Sequence, residues 1–392
     1  MRKLTVFLGL EVYAVALAIL QLPGRVHTDE AKYLLNIPYP HPPLVRFFLS
    51  LFDAFSWQEI AARILFATLM VQAVWIVWMI GAALPHRHRF TLACSWLLAW
   101  AVIAEAGTIM MAPLTALQLL LFVWLFLRHD DDTHAAGWIA LLWLASLFTA
   151  YQAALFVPLV VVVFWRMKIP KWQRILFIGV PIALVALYTL TNPYALSSML
   201  HQAGKDAVET PIARVIAFLQ VFLIGGSGLL AIMGTYGLLV IRRLPLLLTL
   251  LLTCAYVFLG HAFYYAILFV PLFVAGVFLL FQSRAIVPYS FVITLAVFTV
   301  AALFLQPPVN PPTAARPVLQ AIRAVDPDGI VLIQGDFGHE WEYESSGLTI
   351  LRYTPALQPE AHAVVCLTAS CSVQKGEGFT ALPGQGVTVW VH

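Results

Sequence analysis

Long apolar runs dominate the sequence from its N-terminus to about residue 305. A helix needs about 20 consecutive apolar residues to cross the hydrocarbon core of a bilayer, and runs close to that length recur here. Only 10% of the residues are charged and 61% are hydrophobic, whereas roughly a quarter of the residues in a soluble domain are charged. These features exclude a soluble globular protein and predict an all-α polytopic membrane protein. The eleven predicted spans cover about residues 4–22, 60–84, 90–105, 113–127, 135–150, 152–165, 175–191, 213–241, 246–260, 262–282 and 286–305.

The distribution of Lys and Arg predicts how these spans are oriented. Cytoplasmic loops of membrane proteins carry an excess of Lys and Arg. Threading the spans from a cytoplasmic N-terminus places 12 of the 22 Lys and Arg residues on short loops of one side. The long connections at 23–59, 192–212 and after 305 then face away from the cytoplasm. We therefore predict a protein of the cytoplasmic (inner) membrane, and its net charge of only +3 gives no indication of nucleic-acid binding.

The sequence changes character after residue 305. A proline-rich linker, QPPVNPPTAARP, precedes a predicted helix, PVLQAIRAVD, and three predicted strands, GIVLIQG, AVVCLTA and GVTVWVH. We therefore predict a transmembrane domain over 1–305 and a small extracytoplasmic α/β domain over 306–392. Cys366 and Cys371 lie close together in this tail and suit a disulfide only in an oxidising compartment. The acidic segment GDFGHEWEYESSG is either an acceptor contact or an ordinary polar loop.

The first long outward loop, residues 23–59, concentrates charge and proline directly after an apolar span. Its segment VHTDEAKYLLNIPYPHPPL contains the neighbouring carboxylates Asp29 and Glu30. A carboxylate held beside a membrane by a proline-stiffened backbone suits a general base, although composition alone favours a solvated loop charge. The next segment, LVRFFLSLFDAFSW, has an apolar stripe, which predicts a helix lying in the membrane interface.

The region HTDEAKYLLNIPYPHPPLVRFFLSLFDAFSWQEIAARILFATL resembles the signature region of the GT-C superfamily of membrane glycosyltransferases that use polyprenyl-phosphate sugars. The superfamily includes protein O-mannosyltransferases and enzymes that add aminoarabinose or other sugars to lipid A and lipopolysaccharide. Its pattern is an apolar helix, Asp-Glu with a following aromatic residue, His-Pro-Pro-Leu, an interfacial helix and an Ala-Arg-Leu-like start of the next span. The matching residues are Asp29, Glu30, Tyr33, His41-Pro42-Pro43-Leu44, the segment 45–57 and Ala62-Arg63-Ile64.

Two later segments are also similar to family features. HAFYYAILFVPLFVAGVF, with His261 and Tyr265, resembles the aromatic start of a late family helix, and EAGTIMMAPLTALQLLLFVWLF resembles the second outward loop. Many members have an Asp before Pro-Leu in that loop, whereas this chain has Ala112. Glu105, at the same predicted helix end, is the only local substitute for that carboxylate.

The resemblance implies transfer of a sugar from a polyprenyl-phosphate donor to an acceptor on the outer face of the membrane, with inversion at the anomeric carbon. Phosphate is a good leaving group, so the reaction needs a base for the acceptor and positive charge on the departing phosphate. Asp29 is the candidate base, and Glu30 orients the acceptor or supports Asp29. The candidate substrate- and phosphate-binding residues are Lys32, Arg46, Arg63, His41, Tyr33, Glu105, His261 and Tyr265. Lipid-headgroup contacts and snorkelling are the alternative roles of these cations.

On the predicted outward side, the sequence has no close spacing of Asp, Glu and His that is typical of a divalent-metal site. The segment HDDDTH at 129–134 resembles a ligand cluster, but it falls in a predicted cytoplasmic turn, where we expect a solvated hairpin. We therefore predict no obligatory cofactor or metal, and Asp29, Glu30 and an outward His are left as a weak cation site. The predicted partners are the sugar donor, membrane lipids and an acceptor that is a lipid, a glycan or a protein. Two other hypotheses stay open. One is a sugar-lipid transporter or flippase, for which the sequence shows no inverted repeats, although GGSG at 225–228 interrupts a predicted span. The other is a catalytically inactive assembly subunit, which Ala112 and the small size of the tail keep open.

Overall fold

The computed structural model describes residues 2–22, 26, 28–37, 41–52, 55, 57–128, 133–195, 210–260, 263–283, 288–307, 314–335, 337–367, 380–382 and 388–391. The chain divides into two compact units. The transmembrane unit consists of Met1–Gln21 and Pro38–Val309, and the C-terminal unit consists of Leu22–Ile37 and Asn310–His392.

Most of the chain is helical, because apolar runs alternate with Pro, Gly and charged residues that end them. The α-helices are, in chain order, α1 (Arg2–Gln21), α2 (Thr28–Leu34), α3 (Leu44–Ser50), α4 (Gln58–Gln72), α5 (Val74–Ile80), α6 (His86–Leu97), α7 (Trp100–Glu105), α8 (Met111–Arg128), α9 (Ala136–Thr149), α10 (Val157–Arg166), α11 (Lys171–Thr191), α12 (Pro211–Gly225), α13 (Leu229–Ile241), α14 (Leu244–Gly260), α15 (Val270–Ser283), α16 (Pro288–Leu305), α17 (Ala315–Arg323) and α18 (Glu340–Tyr343). Short 3₁₀ helices lie at Gly81–Ala83, Thr133–Ala135, Tyr151–Phe156, Phe263–Phe269 and Pro355–Glu360.

Several of these helices are long and apolar enough to cross a membrane. Within the described residues there are six, at Leu4–Gln21, Gln58–Ala83, Met111–Arg128, Lys171–Thr191, Phe263–Ser283 and Pro288–Leu305. The pair α12 and α13 is a seventh if it is counted as one broken span, and Ala136–Thr149, Tyr151–Arg166 and Leu244–Gly260 are shorter apolar helices. The predicted helical multi-pass architecture is confirmed. The predicted number of eleven spans depends on how broken and short helices are counted.

Two helix breaks meet inside the transmembrane unit. The chain breaks between α6 and α7, and again at Gly226–Gly228, where α12 and α13 are bent by 94°. The Ser227 hydroxyl accepts a hydrogen bond from the Trp100 backbone N–H (2.8 Å) and donates to the Leu98 carbonyl (3.2 Å). The Thr299 hydroxyl donates to the same carbonyl at 2.7 Å. Because unpaired backbone groups are costly where water is absent, these hydroxyls allow both breaks to be buried.

Helix α15 lies at the centre of the transmembrane unit. Every residue from Val270 to Phe281 is buried, and glycines let the helix backbone approach that of α13. A Cβ atom built on Gly276 would lie 2.6 Å from the carbonyl carbon of Gly234. Small residues commonly allow such close helix contacts in membranes. Gly at these positions therefore fixes how closely α13 and α15 pack.

The C-terminal unit contains a mixed five-stranded sheet. Its strands are β1 (Ile330–Gln334), β2 (Thr349–Arg352), β3 (Ala363–Cys366), β4 (Thr380–Leu382) and β5 (Thr388–Val391), and their spatial order is β2-β1-β3-β5-β4. β1 pairs in parallel with β2 and β3, while β5 runs antiparallel to β3 and β4. Helix α17 contributes Val318, Leu319 and Ile322 to the same core as Val331 and Val365. The predicted small α/β domain is confirmed, with β2 and β4 as strands that the sequence did not indicate.

Helix α2 belongs to the C-terminal unit, although we predicted the whole loop 23–59 within the transmembrane domain. The helix packs against α18 of the tail, and the Thr28 hydroxyl donates a hydrogen bond to the Glu340 carboxylate. Residues 22–37 therefore group with the tail, because their packing partners are more than 300 positions away in the sequence. The predicted interfacial helix is shorter than expected, since α3 ends at Ser50.

Candidate functional site

The carboxylates Asp29 and Glu30 occupy the first turn of α2 and differ in exposure. Successive helical side chains point about 100° apart, so one of the pair faces the packed side of the helix while the other faces outward. Glu30 is 3% exposed, whereas the Asp29 side chain is 35% exposed. Lys32 places its Nζ 3.0 Å from Asp29 Oδ1. Asp29 is therefore the accessible carboxylate, with a cation directly beside it.

Tyr33 lies on the buried side of α2, one turn after Glu30. Its exposure is 2%, so this residue packs inside the protein rather than presenting an open aromatic face. On the tail, α18 places Glu340 against Thr28, and His339 Nδ1 lies 2.7 Å from Glu342 Oε2. The acidic segment of the tail thus lies beside α2. Neither Thr28 nor Glu340 carries a local sequence signal for this contact.

Arg63 is buried in the transmembrane unit and bridges two segments. It is 1% exposed, and its Nε lies 3.0 Å from Glu59 Oε1 on the same helix. Its Nη1 donates to the Gly107 carbonyl at 3.0 Å, which ties α4 to the connection after α7. Two residues earlier, Glu105 is 8% exposed and accepts a hydrogen bond from Thr108 at 3.1 Å. The structure therefore brings Arg63 to the segment that carries Glu105.

Tyr265 belongs to a buried polar cluster within the transmembrane unit. The Gln152 side-chain amide donates to the Tyr256 hydroxyl at 2.6 Å and to the Tyr265 hydroxyl at 3.3 Å. The rings of Tyr264 and Tyr265 have centroids 4.3 Å apart. Sequence reasoning selected Tyr265 but missed Gln152 and Tyr256, and the only available signal was an amide inside the apolar run TAYQAALF.

The remaining predicted residues are more dispersed. His41 is partly buried, and its ring centroid lies 6.4 Å from that of Tyr151. Arg46 is partly buried on α3. His261 lies outside the described residues. The roles predicted for these three side chains stay predictions.

Among the described residues, no group of three or more His, Cys, Asp and Glu side chains is arranged to hold a metal ion. Cys366 is disulfide-bonded, while Cys94 and Cys254 carry free thiols. Cys371, the predicted partner of Cys366, lies outside the described residues. The absence of an obligatory cofactor stays a prediction.

Comparisons with known proteins support the fold. No family model matches the chain, and no curated protein sequence matches it. The apo crystal structure of the Archaeoglobus fulgidus oligosaccharyltransferase matches with a TM-score of 0.50 at 12% identity, over 88% of this chain and 64% of that one. The cryo-EM structure of the arabinofuranosyltransferase AftD from Mycobacteria matches with a TM-score of 0.52 at 14% identity, over 99% of this chain and 41% of that one.

This chain spans less than two thirds of the length of either structure. At such low identity, the likeness concerns the fold. Both matched proteins are members of the GT-C superfamily, and the described helices include several that are long enough to span a bilayer. The chain is therefore a multi-pass membrane protein with a GT-C-like fold.

Proposed function

We propose that this protein is an integral-membrane glycosyltransferase that moves a sugar from a polyprenyl-phosphate donor to an acceptor on the outer face of the cytoplasmic membrane. The main support is its GT-C-like fold, since the two matched structures are an oligosaccharyltransferase and an arabinofuranosyltransferase. The second support is the carboxylate pair on α2, with Asp29 partly exposed and Glu30 buried.

Asp29 is the proposed general base. It takes the proton of an acceptor hydroxyl while the hydroxyl oxygen forms a bond to the anomeric carbon of the sugar. The bond from that carbon to the donor phosphate breaks, and the phosphate leaves with the electron pair. Attack from the face opposite the phosphate inverts the anomeric configuration. The partial exposure of Asp29 suits this role, because an acceptor must be able to reach its carboxylate.

The surroundings of the other candidate residues suggest different roles for them. Lys32, 3.0 Å from Asp29, supplies positive charge beside the base, and electrostatic stabilisation of a departing phosphate is a large contribution to such reactions. Buried Glu30 is a positioning residue for α2. Arg63, which is held by Glu59 and by the Gly107 carbonyl, is proposed to keep the connection after α7 in place.

The proposed location follows from charge. The short loops predicted on one side carry 12 of the 22 Lys and Arg residues, which favours a cytoplasmic location for that side. The N-terminus is then cytoplasmic, and α2 and the tail are extracytoplasmic. The acceptor is proposed to be a lipid, a glycan or a protein of the cell envelope.

The test is a transfer assay with a matched pair of variants. Purified full-length protein in nanodiscs is incubated with radiolabelled polyprenyl-phosphate sugars and a membrane lipid and glycan extract. We expect Asp29→Asn to lose transfer because the amide accepts no proton, whereas Asp326→Asn should retain it. Asp326 is a fair control, since it is also in the C-terminal unit, is 33% exposed and lies 3.5 Å from a basic partner, His362.

Equal transfer by the wild type and by Asp29→Asn would remove Asp29 from the mechanism. An absence of transfer by the wild type with every donor and acceptor would contradict the glycosyltransferase proposal and favour an inactive assembly subunit.

One observation favours a second candidate function, transport of a sugar-lipid. Helices broken near the bilayer midplane are common in transporters, and α12 and α13 form a pair bent by 94°. A flippase should translocate a fluorescent polyprenyl-phosphate sugar across proteoliposome membranes, and Asp29→Asn should not change that rate. A reconstituted protein without such translocation would eliminate this candidate.

A further inference from the structure

The proposed base, Asp29, lies on a helix that is too short to be stable alone. Helix α2 has seven residues, Thr28–Leu34, whereas isolated helices shorter than about 12 to 15 residues are marginal in water. The conformation of α2 therefore depends on its packing partners. The helical conformation also decides which carboxylate is accessible, because it leaves Asp29 partly exposed and buries Glu30. The contacts that hold α2 thus determine the orientation of Asp29.

Helix α18 of the tail packs against α2 at the end that carries Asp29. The Thr28 hydroxyl, one residue before Asp29, donates a hydrogen bond to the Glu340 carboxylate. Gly338, just before α18, lies so close to α2 that a Cβ atom at this position would collide with the Thr28 side chain. Two adjacent points of contact therefore fix the first turn of α2.

Helix α18 is itself attached to the core of the C-terminal unit. Trp341 is buried in the same hydrophobic core as α17 and the sheet. Directly after the helix, Glu344 is also buried, and its Oε2 lies 2.7 Å from Arg316 Nε. The Glu344 carbonyl accepts a hydrogen bond from Arg323 Nη2 at 3.1 Å. A helix held at these points gives a rigid support to the contact that Glu340 makes.

The contact with Thr28 uses Glu340 as a hydrogen-bond acceptor. Among the described residues, no Lys, Arg or His side chain forms an ion pair with Glu340, and the neighbouring His339 lies 2.7 Å from Glu342 instead. An uncharged amide oxygen at the same position would accept the same hydrogen bond, whereas an aliphatic side chain would not. The role of Glu340 can therefore be separated from its charge.

We propose that Glu340 is a positioning residue of the transfer reaction, which holds the first turn of α2 through Thr28 and so presents Asp29 to the acceptor. The tail domain then takes part in the reaction, since its helix α18 supports the helix that carries the base. This inference rests on the proposed function of Asp29. Misplacing a reacting group by about 1 Å can lower a rate about 100-fold, so loss of this support should reduce kcat and leave the KM for the donor unchanged.

The first test measures transfer by variants of the full-length protein in nanodiscs. Glu340→Leu removes the acceptor for Thr28 and should lower kcat at least about tenfold, with the donor KM within about twofold of the wild-type value. Glu340→Gln keeps an oxygen that accepts the hydroxyl and should retain most of the wild-type kcat. Glu360→Leu is the matched control, because Glu360 is an exposed carboxylate of the same unit, and it should transfer at the wild-type rate.

Thr28→Val tests whether Glu340 acts through Thr28. This variant removes the donor of the same hydrogen bond and should lower kcat as Glu340→Leu does. The double variant should be no slower than either single variant, because changes to one shared interaction are not additive.

Three kinetic results would overturn the proposal. A wild-type kcat in Glu340→Leu would show that the contact does not affect the base. A loss in Glu340→Gln as large as that in Glu340→Leu would show that the charge of the carboxylate is needed. Losses that multiply in the double variant would show that Thr28 and Glu340 act independently.

A labelling experiment tests the positioning without any transfer, so it separates this proposal from the proposed function. A water-soluble carbodiimide with glycinamide converts accessible carboxylates to amides, and tandem mass spectrometry gives the modification of Asp29 and Glu30 separately. Glu340→Leu should increase the labelling rate of Glu30 about fivefold, as expected for the loss of one hydrogen bond. Glu340→Gln and Glu360→Leu should leave it unchanged. A Glu30 labelling rate in Glu340→Leu equal to that of the wild type would overturn the proposal, whether or not the protein transfers sugar.

Discussion

Replacing Gly276 by Ala should destabilise the protein, although Ala is the better helix former. Gly276 lies in the middle of α15, where the backbones of α13 and α15 are in direct contact. A Cβ at this position would lie 2.6 Å from the carbonyl carbon of Gly234, whereas carbon atoms are in optimal contact at about 3.5 to 4.0 Å. The two helices must therefore move apart by about 1 Å to admit one methyl group.

The magnitude follows from two opposing contributions. Overpacking of a tight interior typically lowers the free energy of unfolding by about 1 to 3 kcal/mol. The higher helix propensity of Ala offsets up to about 1 kcal/mol of that loss. The net expectation for Gly276→Ala is a loss of roughly 1 to 2 kcal/mol in the free energy of unfolding. Gly179 on α11 provides the control, because a Cβ there would have no atom within 4 Å. Gly179→Ala should be stabilising by about 0.5 to 1 kcal/mol.

The assay is unfolding of each purified variant in mixed micelles with increasing SDS, followed by circular dichroism. We expect the midpoints of the two variants to move in opposite directions from the wild type. A Gly276→Ala midpoint at or above that of the wild type would refute the argument that backbone contact fixes the packing of α13 on α15.

Three further changes test other parts of the structure. Arg63→Gln removes one partner of a buried ion pair on α4 and should lower the free energy of unfolding by about 3 kcal/mol; an unchanged SDS midpoint would contradict that pairing. Ser227→Ala leaves the Trp100 N–H without its acceptor and should lower the free energy of unfolding by about 1 to 2 kcal/mol in the same assay. An unchanged free energy of unfolding would argue against the hydrogen bonds that connect the two helix breaks. Thr28→Val removes the side-chain hydrogen bond from α2 to α18 and should increase the rate of amide hydrogen exchange in α2. An exchange rate equal to that of the wild type would show that the two helices do not pack together.

The sequence was sufficient for the helical architecture and for the existence of the tail domain. Apolar runs of membrane-spanning length are a strong signal because the bilayer imposes their length. The predicted strands β1, β3 and β5 are present for a similar reason, since their apolar runs supply the core of the sheet. β2 was missed because its residues are mostly exposed, and an exposed four-residue strand has no hydrophobic pattern.

The site residues were harder to assign because their neighbours are distant in the chain. The motif identified Asp29 and Glu30, but only the packing of α2 distinguishes the exposed carboxylate from the buried one. The attachment of α2 to the tail depends on the Thr28 to Glu340 contact, which spans 312 residues. No periodicity within a local window contains that information. The contact between Arg63 and the Gly107 carbonyl was also not predictable from local sequence, since the two residues are 44 positions apart.

The joined helix breaks have a consequence for biosynthesis. Leu98 and Ser227 are separated by 129 residues. The segment that contains the break between α6 and α7 is therefore synthesised well before Ser227, whose hydroxyl pairs with it. At a translation rate of about 5 to 20 residues per second, the Ser227 hydroxyl is synthesised roughly 6 to 26 seconds after the Leu98 carbonyl and the Trp100 amide. During that interval the nascent N-terminal helices carry unpaired backbone groups that hydrocarbon does not accommodate. The apolar helices translated before residue 227, which include Leu4–Gln21, Gln58–Ala83, Met111–Arg128 and Lys171–Thr191, are therefore expected to stay near the insertion machinery, or in contact with a chaperone, until residue 227 has been translated.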